Sequence, residues 1–129
     1  MLRVDITDLP FDDSRFDAIY CSHVLEHVPD DRKAMSELRR VLRPGGWAIL
    51  QVPIKGIVTF EDPAVTTPED RERVFGQSDH VRIYGLDFKD RLEEVGFKVT
   101  IVQYANVLSE EEIRLSAIGR GDDIYLCEK

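Results

Sequence analysis

The sequence predicts an α/β fold whose sheet is mostly parallel and covered on both faces, and three observations carry that prediction. Short apolar runs alternate with amphipathic helical patterns along most of the chain, the order that builds parallel strands joined by helices. Residues 16–21 are apolar apart from Asp17, as in a strand buried on two faces rather than one. Polar groups then crowd just past that strand, at Ser22, His23, Glu26 and His27. In open α/β sheets, ligands bind outside the carboxyl ends of the strands.

The elements follow in order. Residues 2–6 form a short apolar strand candidate that contains Asp5. A turn, LPFDDS, comes next: Pro10 fixes its own φ, and Asp12 and Asp13 can bond nearby backbone. After the strand at 16–21, a helix is expected over 31–42. Asp30 is its N-cap, and Asp31 suits the positive helix end. Ala34, Leu38, Val41 and Leu42 recur on one face. Arg39, Arg40 and Arg43 sit near the negative end, and Pro44-Gly45-Gly46 stops the helix. Residues 47–52 read as a buried strand.

Residues 53–85 make a long connection of the kind that serves as a lid or binding loop. It carries its own helix, with Thr67 as cap, Pro68 at the first position, Asp70 three after the cap and Gly76 as the stop. Residues 86–95 form an amphipathic helix with Phe88, Leu92 and Val95 on one side and Gly96 beyond its end. A strand is expected at 97–104. Ser109 and Glu112 form a capping box for a short acidic helix. The last strand is 124–127.

Length, charge and cysteines bound the function. The 129 residues suffice for one domain, 1–129, with a single core. A net charge of −8 and a pI near 4.8 lack the positive field that nucleic acid or anionic lipid requires. No apolar run approaches the ~20 residues of a membrane span, and Met1-Leu2-Arg3 opens nothing like a signal peptide. The two cysteines, Cys21 and Cys127, fall in predicted strands and read as reduced core thiols of a cytoplasmic protein.

Four segments carry a resemblance: DITDLPFDDSRFDAIYCSHVLEH at the start, RVLRPGGWAILQVP from Arg40, RLEEVGFKVTIV from Arg91 and DDIYLCEK at the end. In this order and spacing they resemble class I S-adenosylmethionine-dependent methyltransferases of the type 11 group. The resemblance implies part of a Rossmann-like sheet, mostly parallel with an antiparallel last strand and helices on both faces. It implies methyl transfer from S-adenosylmethionine to a small-molecule acceptor. Asp5 would accept from the adenine amino group, and Ile6 would offer its amide to the ring. Ser22 and His23 would pass the methionine part of the cofactor, or else form an ordinary polar loop.

The family also opens on a glycine-rich loop, whereas here no glycine precedes Gly45, and the G-x-G at Gly119-Arg120-Gly121 stands before the last strand. The chain therefore reads as the carboxyl-terminal part of the domain, truncated on the amino-terminal side, and S-adenosylmethionine is expected to bind it weakly or not at all in isolation. The alternative function is a non-catalytic methyltransferase-like module acting as an oligomer or partner subunit. The family's strand order, 3-2-1-4-5-7-6, would leave the first strand here about three strand spacings, on the order of 14 Å, from the second. The bare edge of 16–21 would invite a homodimer or a complementing chain.

Two clusters remain. His23-Val24-Leu25-Glu26-His27 matches an H-x-x-E-H zinc pattern. That chemistry needs both histidines on one helix, but the segment follows a strand directly and Pro29 limits any helix. No metal site is expected, and the segment reads as a sharp turn in which His27 bonds to backbone. In FGQSDHVRIYG, from Phe75 to Gly85, His80, Arg82 and Tyr84 alternate and would share one face of an extended segment. His80 is the candidate catalytic base, while Arg82 and Tyr84 are the candidate substrate-binding residues. The structural alternative pairs Arg82 with a nearby acid and packs Tyr84 as a wedge.

Overall fold

The fold is known from a computed structural model, which describes residues 1–103, 109–112 and 123–129. Strand β1 (Phe16–Ser22) leads through a 3-10 turn (Leu25–His27) into helix α1 (Asp31–Val41) and strand β2 (Leu42–Gln51). Within the long connection lie β3 (Phe60–Glu61), α2 (Pro68–Phe75) and β4 (Arg82–Ile83). Helix α3 (Phe88–Glu94), strand β5 (Lys98–Gln103) and strand β6 (Asp123–Glu128) complete the described chain.

The main sheet has the order β1-β2-β6-β5, the 4-5-7-6 end of the order implied by the resemblance. β1 and β2 are parallel, and β6 inserts antiparallel between β2 and β5. Three strands thus share one direction and the last runs against them, as expected. β3 and β4 form a separate antiparallel pair.

Local chemistry explains the boundaries. Asp30 caps α1 by accepting the Lys33 N–H at 3.0 Å. Thr67 caps α2 by accepting from Asp70, and Gly76 ends it in the left-handed conformation at φ +91°. The Ser109–Glu112 capping box closes in both directions, though only residues 110–112 of its helix are described. Helix α1 stops one residue earlier than expected because Leu42 is already extended and pairs with Phe16. Ala18 next pairs with Trp47, so Pro44-Gly45-Gly46 bulges out of β2 and does not precede it. Gly46 is required there: a Cβ would sit 2.8 Å from the Arg43 carbonyl oxygen and 2.9 Å from that of Asp17.

The core lies between the sheet and one helical face. Ala34, Met35 and Leu38 of α1 meet Ala48 and Leu50 of β2 and Tyr125 and Cys127 of β6. Phe88 and Leu92 of α3 join them, with Phe88 edge-on to Tyr125 at 5.0 Å. The second face, expected to be helix-covered, leaves Tyr20 69% and Trp47 43% exposed.

Residues 2–6 do not form the expected strand. An isolated strand has no ladder to satisfy its backbone, and here Asp5 only bridges to Asp8 in a tight turn. The stretch that follows is held by Arg40, which donates to the Leu9 and Phe11 carbonyls and to Asp13. The expected helix at 86–95 is shorter at its start, because Gly85 lies against Ile57 and Val58 so closely that a Cβ would come within 2.6 Å of their backbone. Residue 104 of the expected fifth strand lies outside the described residues.

Candidate functional site

The site forms where β1 ends. His23 takes a left-handed φ of 55°, unusual outside glycine though less so for histidine, and turns the chain while its N–H donates to the Gln51 carbonyl at 3.0 Å. The 3-10 turn then delivers Leu25 and Glu26 to the interior. The Val81 N–H donates to the Glu26 carbonyl at 2.9 Å, which ties the far end of the long connection to this turn.

That tie brings three titratable side chains together. The His27 and His80 rings meet edge to face with centroids 4.7 Å apart, and His80 is only 8% exposed. Glu26 is 2% exposed. Its Oε1 lies 3.4 Å from His23 Nδ1 and 3.7 Å from His27 Nε2, while its Oε2 has no hydrogen-bond partner. His27 Nδ1 donates to the Asp79 carbonyl at 3.2 Å, the backbone contact expected of it. Burial lowers the His80 pKa below its ordinary 6.5, and the neighbouring His27 lowers it further. His80 is thus held neutral, the form that can take a proton or bind a metal ion. Beside it opens a cavity of about 160 Å³, lined among others by Glu26, Lys55, Phe75, Gln77 and His80.

Arg82 and Tyr84 lie behind this cluster as its support. Arg82 is 3% exposed and commits four of its five N–H donors: to Glu61 at 2.8 Å and to the carbonyls of Leu25, Val28 and Pro29. Tyr84 is fully buried and donates to Asp31 at 2.7 Å. Arg91 of α3 bridges Asp31 and Glu61, 2.9 Å from each. Burial alone would raise the Glu61 pKa, but Arg82 and Arg91 hold it below its ordinary value. Burial pushes the Tyr84 hydroxyl well above the ordinary phenol range. This geometry matches the alternative in which Arg82 meets an acid and Tyr84 is a wedge, while Arg82 also lines the cavity beside His80.

The sequence reading missed Asp31 and Arg91 as interior groups, and Glu61 as the more exposed acid that Arg82 and Arg91 share. Arg91 had a signal: it falls between Phe88 and Leu92 on the apolar side of α3, buried with them. Of the cofactor candidates, Ser22 ends β1 half-buried and His23 is exposed beyond it. Asp5 is exposed, and its Oδ1 accepts both the Thr7 N–H at 2.8 Å and the Thr7 hydroxyl at 2.7 Å, which lowers its pKa. Ile6 is half-buried against the core.

Residues 1–50 match the sequence model of a family described as a methyltransferase domain. A demethylmenaquinone methyltransferase from Clavibacter sepedonicus is 49% identical over 49 residues, covering 38% of this chain and 20% of that protein. An S-adenosylmethionine-dependent methyltransferase from Mesorhizobium loti superposes with a TM-score of 0.63 at 15% identity, over 99% of this chain and 68% of that one. A Haemonchus contortus phosphoethanolamine N-methyltransferase, solved with phosphomonomethylethanolamine and S-adenosylhomocysteine, gives 0.60 at 16% identity, over 97% and 36%. Identities this low establish the fold alone, and the chain spans only a fraction of the curated relative it matches.

Proposed function

We propose, from the match of residues 1–50 to the sequence model of a methyltransferase domain, that the chain serves methyl transfer from S-adenosylmethionine to a small-molecule acceptor. The observation that carries this reading is His80, buried at the wall of a cavity just beyond the carboxyl end of β1. S-adenosylmethionine would supply a methyl group already activated on a sulfonium. This chain's residues align the acceptor and exclude water.

His80 accepts the acceptor's proton where the acceptor is a hydroxyl or a charged amine. Asp5 fits the adenine end, since Thr7 orients its carboxylate through Oδ1 and makes no use of Oδ2. Ile6 would lie along the ring, with Ser22 and His23 toward the methionine end. Burial pushes the Cys21 and Cys127 thiols up to about 11 and about 12, as suits a cytoplasmic protein of reduced cysteines. None of the described helices is long and apolar enough to cross a membrane, and the acidic charge argues against nucleic-acid partners.

The test uses the chain together with a complementing amino-terminal piece. His80→Ala should lower turnover and leave S-adenosylmethionine affinity nearly unchanged. Equal turnover in variant and parent returns His80 to a packing role.

A second reading, a non-catalytic module that pairs with itself or completes a partner, is favoured by one observation. Among the described residues β1 pairs only with β2, and Tyr20 and Trp47 stand exposed beside that edge. Two copies joined edge to edge would make one continuous sheet. Sedimentation equilibrium at micromolar concentration should show a dimer; a stable species of 14.8 kDa sinks the homodimer.

A further inference from the structure

We propose that Glu26, His27 and His80 form a binding site for a divalent transition metal, with Zn²⁺ as its probe. One ligand atom from each of the three lies within 4.8 Å of the others. Zinc sits about 2.0–2.2 Å from histidine nitrogen and carboxylate oxygen, so two of its ligands are about 3.4 Å apart at the tetrahedral angle. From 4.8 Å at most, the set closes around an ion by contracting about 1.4 Å or less.

Two further features point to a cation. Glu26 is 2% exposed and its Oε2 has no partner, although a buried carboxylate ordinarily requires one. The second feature is the orientation of His27. Its Nδ1 faces both the Asp79 carbonyl at 3.2 Å and the Asp79 carboxylate at 3.3 Å. These two acceptors at Nδ1 leave Nε2 facing Glu26 Oε1 at 3.7 Å, a gap that a ring proton or a bound cation can fill. The Asp79 contact is also the outer-shell arrangement that orients metal-binding histidines.

The chemistry of the set narrows the ion. Two imidazoles and one carboxylate select zinc or iron over calcium and magnesium, which take all-oxygen shells. Three protein ligands leave a coordination position open, as catalytic rather than structural zinc sites do. Glu26 and His80 also line the 160 Å³ cavity, which places a small ligand within reach. The H-x-x-E-H segment argued against a metal because that motif needs both histidines on one helix, which the preceding strand and Pro29 deny. Here the second imidazole comes instead from the end of the long connection. A bound metal makes His80 a ligand, so metal loading and the proton-acceptor role exclude each other.

The test is binding, and it does not depend on methyl transfer. The full chain, stripped with a chelator, is titrated with Zn²⁺ and followed by NMR of its three histidine rings and by calorimetry. The expected result is one Zn²⁺ per chain, with the His27 and His80 ring signals shifting in step and Glu26→Gln weakening binding by at least the ~10–100-fold that even outer-shell losses cost. The proposal is overturned if neither ring responds, if only His23 responds, or if folded Glu26→Gln binds as tightly as the parent. The ring signals of the parent protein decide the matter if that variant does not fold.

Discussion

Two buried carboxylates flank the turn between β1 and α1, and the chain treats them in opposite ways. Asp31 is 3% exposed and engaged strongly through one oxygen: its Oδ2 accepts from Tyr84 at 2.7 Å and from Arg91 at 2.9 Å, with Arg82 at 3.7 Å. Glu26 is 2% exposed and, among the described residues, has two histidines at 3.4 and 3.7 Å and one oxygen left unpartnered. Burial is the same, so burial does not distinguish scaffold from site. Satisfaction does. A buried charge met by donors on every side fixes the surrounding elements, and here it joins α1, β3, β4 and α3. A buried charge left short of partners costs stability, and such groups cluster at functional sites.

Breaking the satisfied side should have the largest effect. Arg82→Met leaves Glu61 with Arg91 alone and takes the guanidinium away from the Leu25, Val28 and Pro29 carbonyls. Removing one partner of a buried ionic group costs about 3–5 kcal/mol. Urea denaturation should show the midpoint falling by that equivalent at an unchanged slope. A loss below about 1 kcal/mol, the scale of exposed pairs, would mean that the network is no scaffold.

The unsatisfied side should answer with the opposite sign. Glu26→Gln keeps the shape and removes the charge, so stability should rise by on the order of 1 kcal/mol, as at other sites that trade stability for function. Thermal melts of parent and variant in chelator-treated buffer measure it. A destabilised variant would place Glu26 with Asp31 in the scaffold, and the contrast between the two would collapse.

How far this was legible in the sequence depended on distance along the chain. Caps and stops at Asp30, Thr67, Gly76 and Ser109 act within one helical turn, and all four form as the residues predict. The strands at 16–21, 47–52 and 124–127 were visible because apolar runs of that length have few other homes. Both sides of the carboxylate contrast rest on remote partners. Arg91 reaches Asp31 across 60 positions and Arg82 reaches Leu25 across 57, and no local period encodes such pairings. His80 was visible as chemistry, but its meeting with His27 was not, since it depends on the Val81–Glu26 main-chain bond. Residues 2–6 failed for the same reason in reverse: their apolar character suggests a strand, but a strand exists only with a neighbour to pair with.

The smallest expected effect comes from a third carboxylate, Glu37, which is satisfied but lies near the surface. Hydrogen bonds from Arg40, at 2.7 Å to Oε1 and 2.9 Å to Oε2, overcome partial burial and hold its pKa down at about 2, helped by the Leu9 N–H at 2.8 Å. Its ordinary value is 4.5. The folded form therefore binds this proton less readily than the unfolded form, and the stabilisation is present above 4.5. It disappears as pH falls from there through about 2. Arg40 also pins the Leu9 and Phe11 carbonyls, so the loss should appear first as local release of the segment before β1, ahead of global unfolding. Hydrogen exchange at the Leu9 amide, compared between the parent and Glu37→Gln, isolates this group from the other carboxylates that titrate in the same range. The parent should lose protection at that amide as the pH drops through this window, while the variant should show a flatter profile. Parallel profiles in the two proteins would show that Glu37 does not anchor the segment, and satisfaction would then separate scaffold from site only where the carboxylate is fully buried.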